Sequence, residues 1–381
     1  MRVLHQKLNF VGSISRQYDD SFARGGAKIG DSLKIRLPNS YVVRSGAVLS
    51  TNNTTEVSTT LQLATQKGVD LNFTSAELTL SLDDFSDRIL DPAMSVLAAA
   101  IEADAMNMYK DVYNQSNNVG AAATFAKLLE GRKKMNDNLA KQGGRTANLN
   151  TQDTVDLVDA LKGLFHDDQA VSRQNREGQM GRTAGFDFVE NTLWGKHTTG
   201  SDSGAGTQIT MNAGGQTGAS LTIVNGSSKT LKQGDNVTLA GCNRVHPESK
   251  ADTGVLQQFT VTADVAAGAT TMLVSPSIVI TGATQNCSAA PTVTGAVTKV
   301  GGASATYGIS MLYPKEAFAI SFADLVMPKG VDWAAREVFD GISMRIVRAY
   351  DINNDHFPAR LDVIYGYKTI RAALACRLAN N

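Results

Sequence analysis

The sequence predicts an α+β protein in which an all-β segment interrupts a mixed region of helices and strands. An apolar stripe of helical period follows Asp91-Pro92, and alternating apolar and polar residues mark strands near both ends of the chain. Between Ser201 and Gly308 only ten of 108 residues are charged, against 19% in the whole chain. The chain has 381 residues, and single cores stop growing near ~250–300 residues, so we expect more than one core.

Composition excludes several classes of protein. The 36 basic and 36 acidic residues give a net charge of zero, so bulk charge attracts neither nucleic acid nor anionic lipid nor an acidic substrate. The three cysteines (Cys242, Cys287, Cys376) predict reduced thiols, because their number is odd and no two have C-x-x-C spacing. The start MRVLHQKLNF has no apolar h-region, and no run of about 18 apolar residues occurs, so we expect a soluble, cytoplasmically made protein without a membrane span.

The first 80 residues predict an arm and then an extended β excursion. Residues 1–28 begin with a short helical pattern and end in a polar stretch. In residues 30–38 apolar side chains alternate with Lys34 and Arg36, a period of two that fits a half-buried strand. The same alternation returns at Val69–Phe73, so we expect residues 29–80 to form one antiparallel excursion with a polar tip.

The longest predicted helix begins at Asp91-Pro92, because the Asp oxygen can accept from free N–H groups and proline tolerates the first helical position. Apolar residues then recur at steps of three and four, which predicts a helix of about six turns with one buried stripe. Its members are Met94, Leu97, Ile101, Ala105, Met108 and Val112. Thr124–Leu139, with its basic Arg132-Lys133-Lys134, is a second helix. Thr151–Phe165 is a third, with Val155, Val158, Leu161 and Phe165 on one face.

Residues 201–308 predict an all-β sandwich or small barrel, because short β-prone runs recur between turn signals such as Asn225-Gly226 and Gly234-Asp235. The runs are Gln208–Met211, Leu221–Val224, Asn236–Leu239, Leu256–Val261, Thr271–Val274 and Ile278–Ile280. Beyond them, Trp333–Phe339 is predicted as a helical turn. Ile342–Arg348 and Ala359–Tyr365 are predicted as a hairpin around Asp351–Pro358.

The sequence lacks the phosphate-binding, dinucleotide-binding, nucleophile-elbow and zinc-protease motifs. The histidines are dispersed, and His246, four residues after Cys242, has no further ligand nearby. Asp83-Asp84 and His166-Asp167-Asp168 are interpreted as solvated or capping groups, and the basic helical patch as a solvated face. We therefore predict no catalytic residue, no metal site and no cofactor, and a protein that is not an enzyme.

The order of these parts is more specific than any motif. A β excursion opened by GDSLKIRLP precedes the Asp91-Pro92 helix, and a β insertion follows that bears LKQGDNVTLAG and LQQFTV. The end reads GISMRIVRAYDINNDHFPARLDVIYGYKTIRAALACRL. This order resembles the major coat protein of tailed bacteriophages, in the short-tailed branch whose Hong Kong 97-type fold carries an inserted immunoglobulin-like or telokin-like domain. The chain starts within what resembles the N-terminal arm, which leaves open whether further residues precede it.

The resemblance implies a division of the chain into the domains of that fold. They are an N-terminal arm (1–28), an E-loop (29–80), a peripheral domain with the spine helix (81–145), an axial domain (146–200 and 309–340), an inserted β domain (201–308) and a C-terminal hairpin (341–381). Lys34, Arg36 and Arg44 are candidates for subunit contacts, because the first two lie opposite the apolar face of their strand and are available to a neighbour.

The resemblance also implies a function: hexamers and pentamers that close an icosahedral shell around packaged double-stranded DNA. Implied partners are further copies of the chain, a scaffolding protein, a portal protein and, as a further candidate, a decoration protein. DNA would meet only non-specific contacts at the inner surface, and no membrane is involved. The implied location is the virion capsid, after assembly in the host cytoplasm.

Two other classes stay open from the sequence. An encapsulin-type nanocompartment shell would share the fold and hold protein cargo, although the β insertion argues against it. A polysaccharide-binding β-rich surface protein would explain the Thr- and Gly-rich middle. Against that interpretation, Phe259 and Tyr307 are the only aromatic residues of residues 201–308 and offer few stacking platforms.

Overall fold

The computed structural model describes residues 8–19, 32–43, 46–48, 57–73, 89–161, 182–202, 209–226, 229–339 and 341–380. The helices are α1 (Asn9–Ser13), α2 (Asp91–Met106), α3 (Phe125–Asp137) and α4 (Thr151–Leu161). The strands are β1 (Ser15–Asp19), β2 (Ser32–Arg36), β3 (Ser58–Gln62), β4 (Thr65–Leu71), β5 (Gln115–Asn117), β6 (Arg145–Leu149), β7 (Arg182–Thr183), β8 (Phe186–Glu190), β9 (Lys196–Thr198), β10 (Thr210–Met211), β11 (Gly218–Val224), β12 (Asn236–Val245), β13 (Asp252–Val261), β14 (Thr271–Ile278), β15 (Val297–Lys299), β16 (Thr306–Pro314), β17 (Phe318–Ala323), β18 (Trp333–Phe339), β19 (Ile342–Arg348), β20 (Ala359–Thr369) and β21 (Cys376–Asn380).

The chain forms two compact units. The first unit comprises Met1–Leu37, Val57–Asn107 and Phe318–Ile370. The second unit comprises Pro38–Glu56, Met108–Ala317 and Arg371–Asn381. Each unit combines three segments that are far apart in sequence, so neither unit is one continuous stretch of the chain.

The first unit is built on a six-stranded sheet centred on β20, the longest of its strands. β20 pairs antiparallel with β17, β19 and β4, while β18 pairs with β19 and β1 joins β17 in parallel. Arg348 lies opposite Ala359, which confirms the predicted terminal hairpin. The prediction of a helical turn at Trp333–Phe339 is wrong, because all seven residues pair with β19 as strand β18.

The opening of the predicted β excursion is a two-stranded antiparallel ribbon of β2 and β3. Leu33 and Ile35 are half-buried and pack against Leu61 and Leu63, so the predicted alternation of β2 is confirmed. The excursion does not extend through residues 65–71, because that segment is β4 and pairs along β20. Gly366 in β20 permits the close approach of the β3 end, since a Cβ there would clash with the Gln62 carbonyl oxygen.

Helix α2 occupies 16 residues, fewer than the six turns predicted, and the chain continues as a 3₁₀ helix over Asn107–Asp111. Proline lies in its first turn as expected, but Leu90 is the N-cap and no side chain caps the helix, so the predicted capping by Asp91 is wrong. All six residues of the predicted stripe are at most 4% exposed. Met108 and Val112 reach that burial from outside α2, in the second unit.

Two carboxylates on α2 fix it within the first unit. Glu102 is fully buried and accepts hydrogen bonds from the backbone N–H groups of Phe10 and Val11 in α1. Asp104 accepts from the Tyr365 hydroxyl at 2.5 Å and pairs with Lys67 Nζ at 2.6 Å. The partners lie on α1, β20 and β4, so polar contacts with three other elements hold the helix in addition to its apolar stripe.

The second unit contains a seven-stranded sheet of order β5-β21-β16-β6-β8-β7, with β9 paired to β16. Helix α3 packs on this sheet and begins after Thr124, whose hydroxyl accepts from Lys127 N as an N-cap. Of the face predicted for helix α4, Val155 is 63% exposed and Val158 is half-buried, while Phe165 lies outside the described residues. Asp153 is buried instead and accepts from Ser310 Oγ and Asn380 Nδ2, which fixes the rotation of the helix.

Residues 209–299, also in the second unit, form a closed six-stranded barrel of order β10-β11-β14-β13-β12-β15. The ends of the sheet meet where Val297 N donates to Ile209 O and Met211 N donates to Gly295 O, each at 2.9 Å. Sixteen buried residues, Phe259 and Val261 among them, fill the interior. Five of the six predicted β runs lie on β10 to β14, whereas the Ile278–Ile280 run is only the end of β14.

Candidate assembly surfaces and the anchor of the barrel

The β2–β3 ribbon exposes its two predicted contact residues side by side. Lys34 lies opposite Thr60 and Arg36 opposite Ser58, and both basic side chains are exposed. Since Leu33 and Ile35 face the apolar cluster, the other face of β2 is polar and cationic. Arg44, the third predicted contact residue, lies outside the described residues.

Strand β18 is a second surface suited to contact, which the sequence alone did not indicate. It is the last strand in the order of its sheet and pairs only with β19 among the described strands. Trp333 is 47% exposed and Val338 is 41% exposed. An edge strand that carries exposed apolar side chains readily pairs with another chain.

The barrel is attached to the rest of the second unit by a buried chain of polar groups that we call the anchor: Tyr109, His197 and Asp235. The Tyr109 hydroxyl lies 3.1 Å from His197 Nδ1, and His197 Nε2 lies 2.9 Å from Asp235 Oδ1. All three side chains are buried. The anchor connects the 3₁₀ helix after α2, strand β9 and the barrel turn before β12.

Local turn geometry holds the Asp235 carboxylate in place. Gly234 has a φ of +92°, a conformation that favours glycine, and so turns the chain toward the anchor. Asp235 Oδ2 accepts from Lys232 N at 2.8 Å and from Gly200 N at 3.0 Å. Burial alone would raise the pKa of Asp235, but the hydrogen bonds from His197 and these two N–H groups hold the pKa below its ordinary value.

Further hydrogen bonds hold β12 and β13 against the same neighbours. Asn236 Nδ2 donates to Tyr113 O at 2.9 Å, and Thr260 Oγ1 donates to Lys110 O at 2.8 Å. Arg244 pairs with Asp137 of α3 at 2.9 Å. The barrel is therefore fixed through buried contacts on two of its strands, in addition to its two chain connections.

The basic patch of α3 has a mixed role. Lys134 Nζ donates to Gln115 O at 2.5 Å and to Gln258 Oε1 of the barrel at 3.3 Å, so this residue is structural. Lys133 is exposed, as the predicted solvated face requires, while Arg132 is half-buried.

A buried cationic group lies next to the anchor. Arg377 on β21 is fully buried, and its Nε, Nη1 and Nη2 have no hydrogen-bond partner among the described residues. Its guanidinium carbon lies 6.0 Å from the centre of the Tyr109 ring. Burial lowers the pKa of Arg377 and raises the pKa of Tyr109 to about 12.

Among the described residues, the remaining candidates from the sequence do not assemble into a chemical site. In the described part of the chain, no group of three or more His, Cys, Asp or Glu residues could hold a metal ion. His246 Nδ1 accepts from Glu248 N and Ser249 N in its own turn, while Cys242 contacts Cys287. Asp83-Asp84 and His166-Asp167-Asp168 lie outside the described residues. Across the described ranges no helix is long and apolar enough to cross a membrane.

The anchor residues could not be chosen from the sequence. Tyr109 and His197 are 88 residues apart, and His197 and Asp235 are 38 apart. The one local signal was the LKQGD turn, where glycine precedes the aspartate. That turn occurs in many β proteins and does not by itself indicate a partner.

Comparisons with known proteins give one family match. The model of a family described as P22 coat protein, gene protein 5, matches residues 26–376. No curated protein sequence matches. Among solved structures, one from Mycobacterium phage Che8 is similar at 10% identity with a TM-score of 0.48, covering 95% of this chain and 88% of that chain.

Two further structures show similarity of the same order. The mature capsid of bacteriophage PhiM1 is 10% identical with a TM-score of 0.46, covering 97% of this chain and 86% of that chain. A virus-like particle from Pyrococcus furiosus is 7% identical with a TM-score of 0.41, covering 99% of this chain and 96% of that chain.

Proposed function

The chain belongs to the P22 coat protein family and is a shell-forming major capsid protein of a tailed phage, a virion component, and we propose that its copies form hexamers and pentamers of an icosahedral shell around packaged double-stranded DNA. The observation that carries this proposal is the family match over residues 26–376. The match favours the coat-protein interpretation over a nanocompartment shell or a polysaccharide-binding protein. Members of a coat family are structural, so we propose no catalytic activity.

The proposal includes partners and a domain assignment beyond the family itself. We assign residues 29–64, without β4, to the E-loop, the α2 region to the spine helix, 146–200 with 309–340 to the axial domain, and 201–308 to an inserted domain. Assembly takes place in the host cytoplasm with a scaffolding protein and a portal protein, and a decoration protein is a further candidate. DNA is held only by non-specific inner-surface contacts, in keeping with the zero net charge.

Assembly of the full chain tests the central claim. Purified subunits are mixed with the scaffolding protein and followed by sedimentation velocity and electron microscopy. We expect closed shells or capsomers. A single monomeric species under these conditions, at concentrations where the protein is folded by circular dichroism, would contradict the proposal.

We propose that the cationic face of β2 contacts a neighbouring subunit. Lys34→Glu with Arg36→Glu should slow or block shell formation while the monomer unfolds normally, because both side chains are exposed in the isolated chain. Lys133→Glu with Lys368→Glu is the matched control, since it makes the same change in net charge at two other exposed positions. Unchanged assembly of the Lys34/Arg36 variant at low salt, where screening is weakest, would remove β2 from the interface.

We propose that β18 is a second contact, formed by its edge and its exposed apolar side chains. Val338→Lys places a charge on this edge and should reduce shell yield with little change in monomer stability. Val255→Lys on β13 is the control, because Val255 is also exposed. Equal loss of shells in both variants would show a general effect of added charge instead of a contact at β18.

We propose that the barrel folds as an independent domain and projects from the shell wall, where it steadies monomer folding or contacts between capsomers. Its closed sheet and single core support this proposal. Residues 201–308 expressed alone should give a β-type far-ultraviolet spectrum and a cooperative thermal transition. A random-coil spectrum would show that the barrel needs its anchor partners in order to fold.

A further inference from the structure

Two cysteines lie side by side in the core of the barrel. Cys242 is on β12 and Cys287 follows β14, and their Sγ atoms are 2.6 Å apart. Both side chains are completely buried, and both are free thiols. The third cysteine, Cys376, lies on β21 in the sheet of the second unit, outside the barrel.

Backbone hydrogen bonds hold the two cysteine segments together. Arg244 and Cys287 form an antiparallel bridge, Ser288 N donates to Asn243 O at 2.9 Å, and Val245 N donates to Asn286 O at 3.3 Å. Disulfides need two Cα atoms within about 7 Å and side chains that face each other. The contact between the two sulfur atoms shows that these side chains face each other, and the backbone hydrogen bonds keep their segments adjacent.

We propose that Cys242 and Cys287 are a cross-link site, reduced in a reducing cytosol and oxidised to a disulfide by a low-molecular-weight disulfide such as oxidised glutathione. One barrel thiolate attacks the oxidant, forms a mixed disulfide and releases one glutathione thiolate. The second barrel thiolate then attacks the protein sulfur of the mixed disulfide and releases the other. The protein loses two protons and two electrons, which leave on two molecules of reduced glutathione.

The cross-link closes a loop between residues 45 apart in sequence and joins β12 to the segment after β14. It therefore restricts the unfolded barrel far more than the folded one. The reaction needs transient opening of the barrel, because both thiols are buried and the thiolate is the reactive species. The hydrogen bond with Cys242, together with burial, raises the pKa of Cys287 and slows the reaction further in the closed barrel. The inference does not depend on shell formation.

Thiol counting on the full chain tests the inference. Protein is incubated with oxidised glutathione at a urea concentration that permits opening, returned to buffer, denatured and alkylated. We expect the three thiols of the reduced chain to fall to one, with a linked pair of peptides containing Cys242 and Cys287. Cys376→Ala should keep the linked pair and leave no free thiol, whereas Cys242→Ala and Cys287→Ala should give no linked pair.

A comparison without any substitution guards against variants that fail to fold. The thermal midpoint of the oxidised wild-type chain should exceed that of the same sample after dithiothreitol. Three thiols that persist after oxidation in urea, stable glutathione adducts without a linked pair, or a linkage to Cys376 would each overturn the proposal. An oxidised chain that melts below the reduced chain would overturn the stabilising role.

Discussion

Removal of the Asp235 carboxylate should loosen the attachment of the barrel and destabilise the second unit. In Asp235→Ala, the N–H groups of Lys232 and Gly200 and the ring of His197 each lose a buried acceptor, within 3.0 Å in the wild type. A buried donor left without an acceptor costs about 1–3 kcal/mol. Because the three bonds share one carboxylate and are not additive, we expect a loss of about 3–5 kcal/mol.

Urea unfolding of the full chain, followed by far-ultraviolet circular dichroism at about pH 7, measures this loss. Asp264→Ala is the matched control, because Asp264 accepts from Gln233 N at 2.8 Å but is 59% exposed. We expect the control to change stability by less than ~1 kcal/mol. If the two variants unfold at the same urea concentration, the anchor does not stabilise the barrel and the reasoning from buried hydrogen bonds is refuted.

The pH dependence of a second variant, Asp235→Asn, which removes the charge and keeps the size of the side chain, provides an independent check. The folded-state pKa of Asp235 lies below its ordinary value, so its contribution is present above the unfolded pKa of about 3.9 and is lost as pH falls through the folded pKa. The stability gap between wild type and Asp235→Asn should therefore be constant from about pH 5 to pH 7 and narrow below about pH 4. A gap that narrows near neutral pH would point to a different titrating group.

Two further substitutions test the interiors of the two units. Ile101→Asp places an unpaired charge on the buried face of α2 and should lower the free energy of unfolding by about 3–5 kcal/mol. Val96→Asp on the same helix should cost little, because Val96 is 64% exposed. Similar melting of both variants would show that the stripe is not buried. Burial raises the pKa of Asp153, although the hydrogen bonds from Ser310 and Asn380 oppose this shift. The protonated carboxyl group therefore stabilises the fold at low pH, and this contribution is lost as pH rises above about 4. Asp153→Asn should therefore gain stability relative to wild type between about pH 4 and pH 7, and a constant difference in urea midpoints would contradict this.

The sequence predicted the strands in which apolar and polar residues alternate along the whole strand. The alternation in β2 and in the β19–β20 hairpin was enough, since a half-buried strand must place every second side chain inward. The orientation of α4 did not follow from its apolar period, since Val155 is exposed. Its rotation depends on the hydrogen bonds of Asp153 to Ser310 and Asn380, partners 157 and 227 residues away, and periodicity carries no information about them.

The candidate surfaces also differ in whether the sequence alone could predict them. The exposure of Lys34 and Arg36 was predictable, because it depends only on the apolar face of their own strand. The exposed edge at β18 was missed, because a strand is an edge only when the order of the whole sheet is known. The anchor was missed because its three members come from separate segments, and their burial depends on the closed barrel.

Removal of the Arg377 charge should raise the stability of the protein, whereas removal of the Asp235 carboxylate should lower it. The Arg377 guanidinium is fully buried with no hydrogen-bond partner for any nitrogen among the described residues, and a buried unpaired charge costs several kcal/mol. The ring of Tyr109, 6.0 Å away, returns about 0.5–2 kcal/mol through a cation–π contact. Arg377→Met, which keeps much of the length and removes the charge, should therefore raise the free energy of unfolding by about 1–3 kcal/mol. Arg377→Lys, which keeps the charge, should give no gain. A Met variant that unfolds at lower urea than wild type would mean that the guanidinium has favourable partners in the folded protein, and that its burial stabilises the sheet.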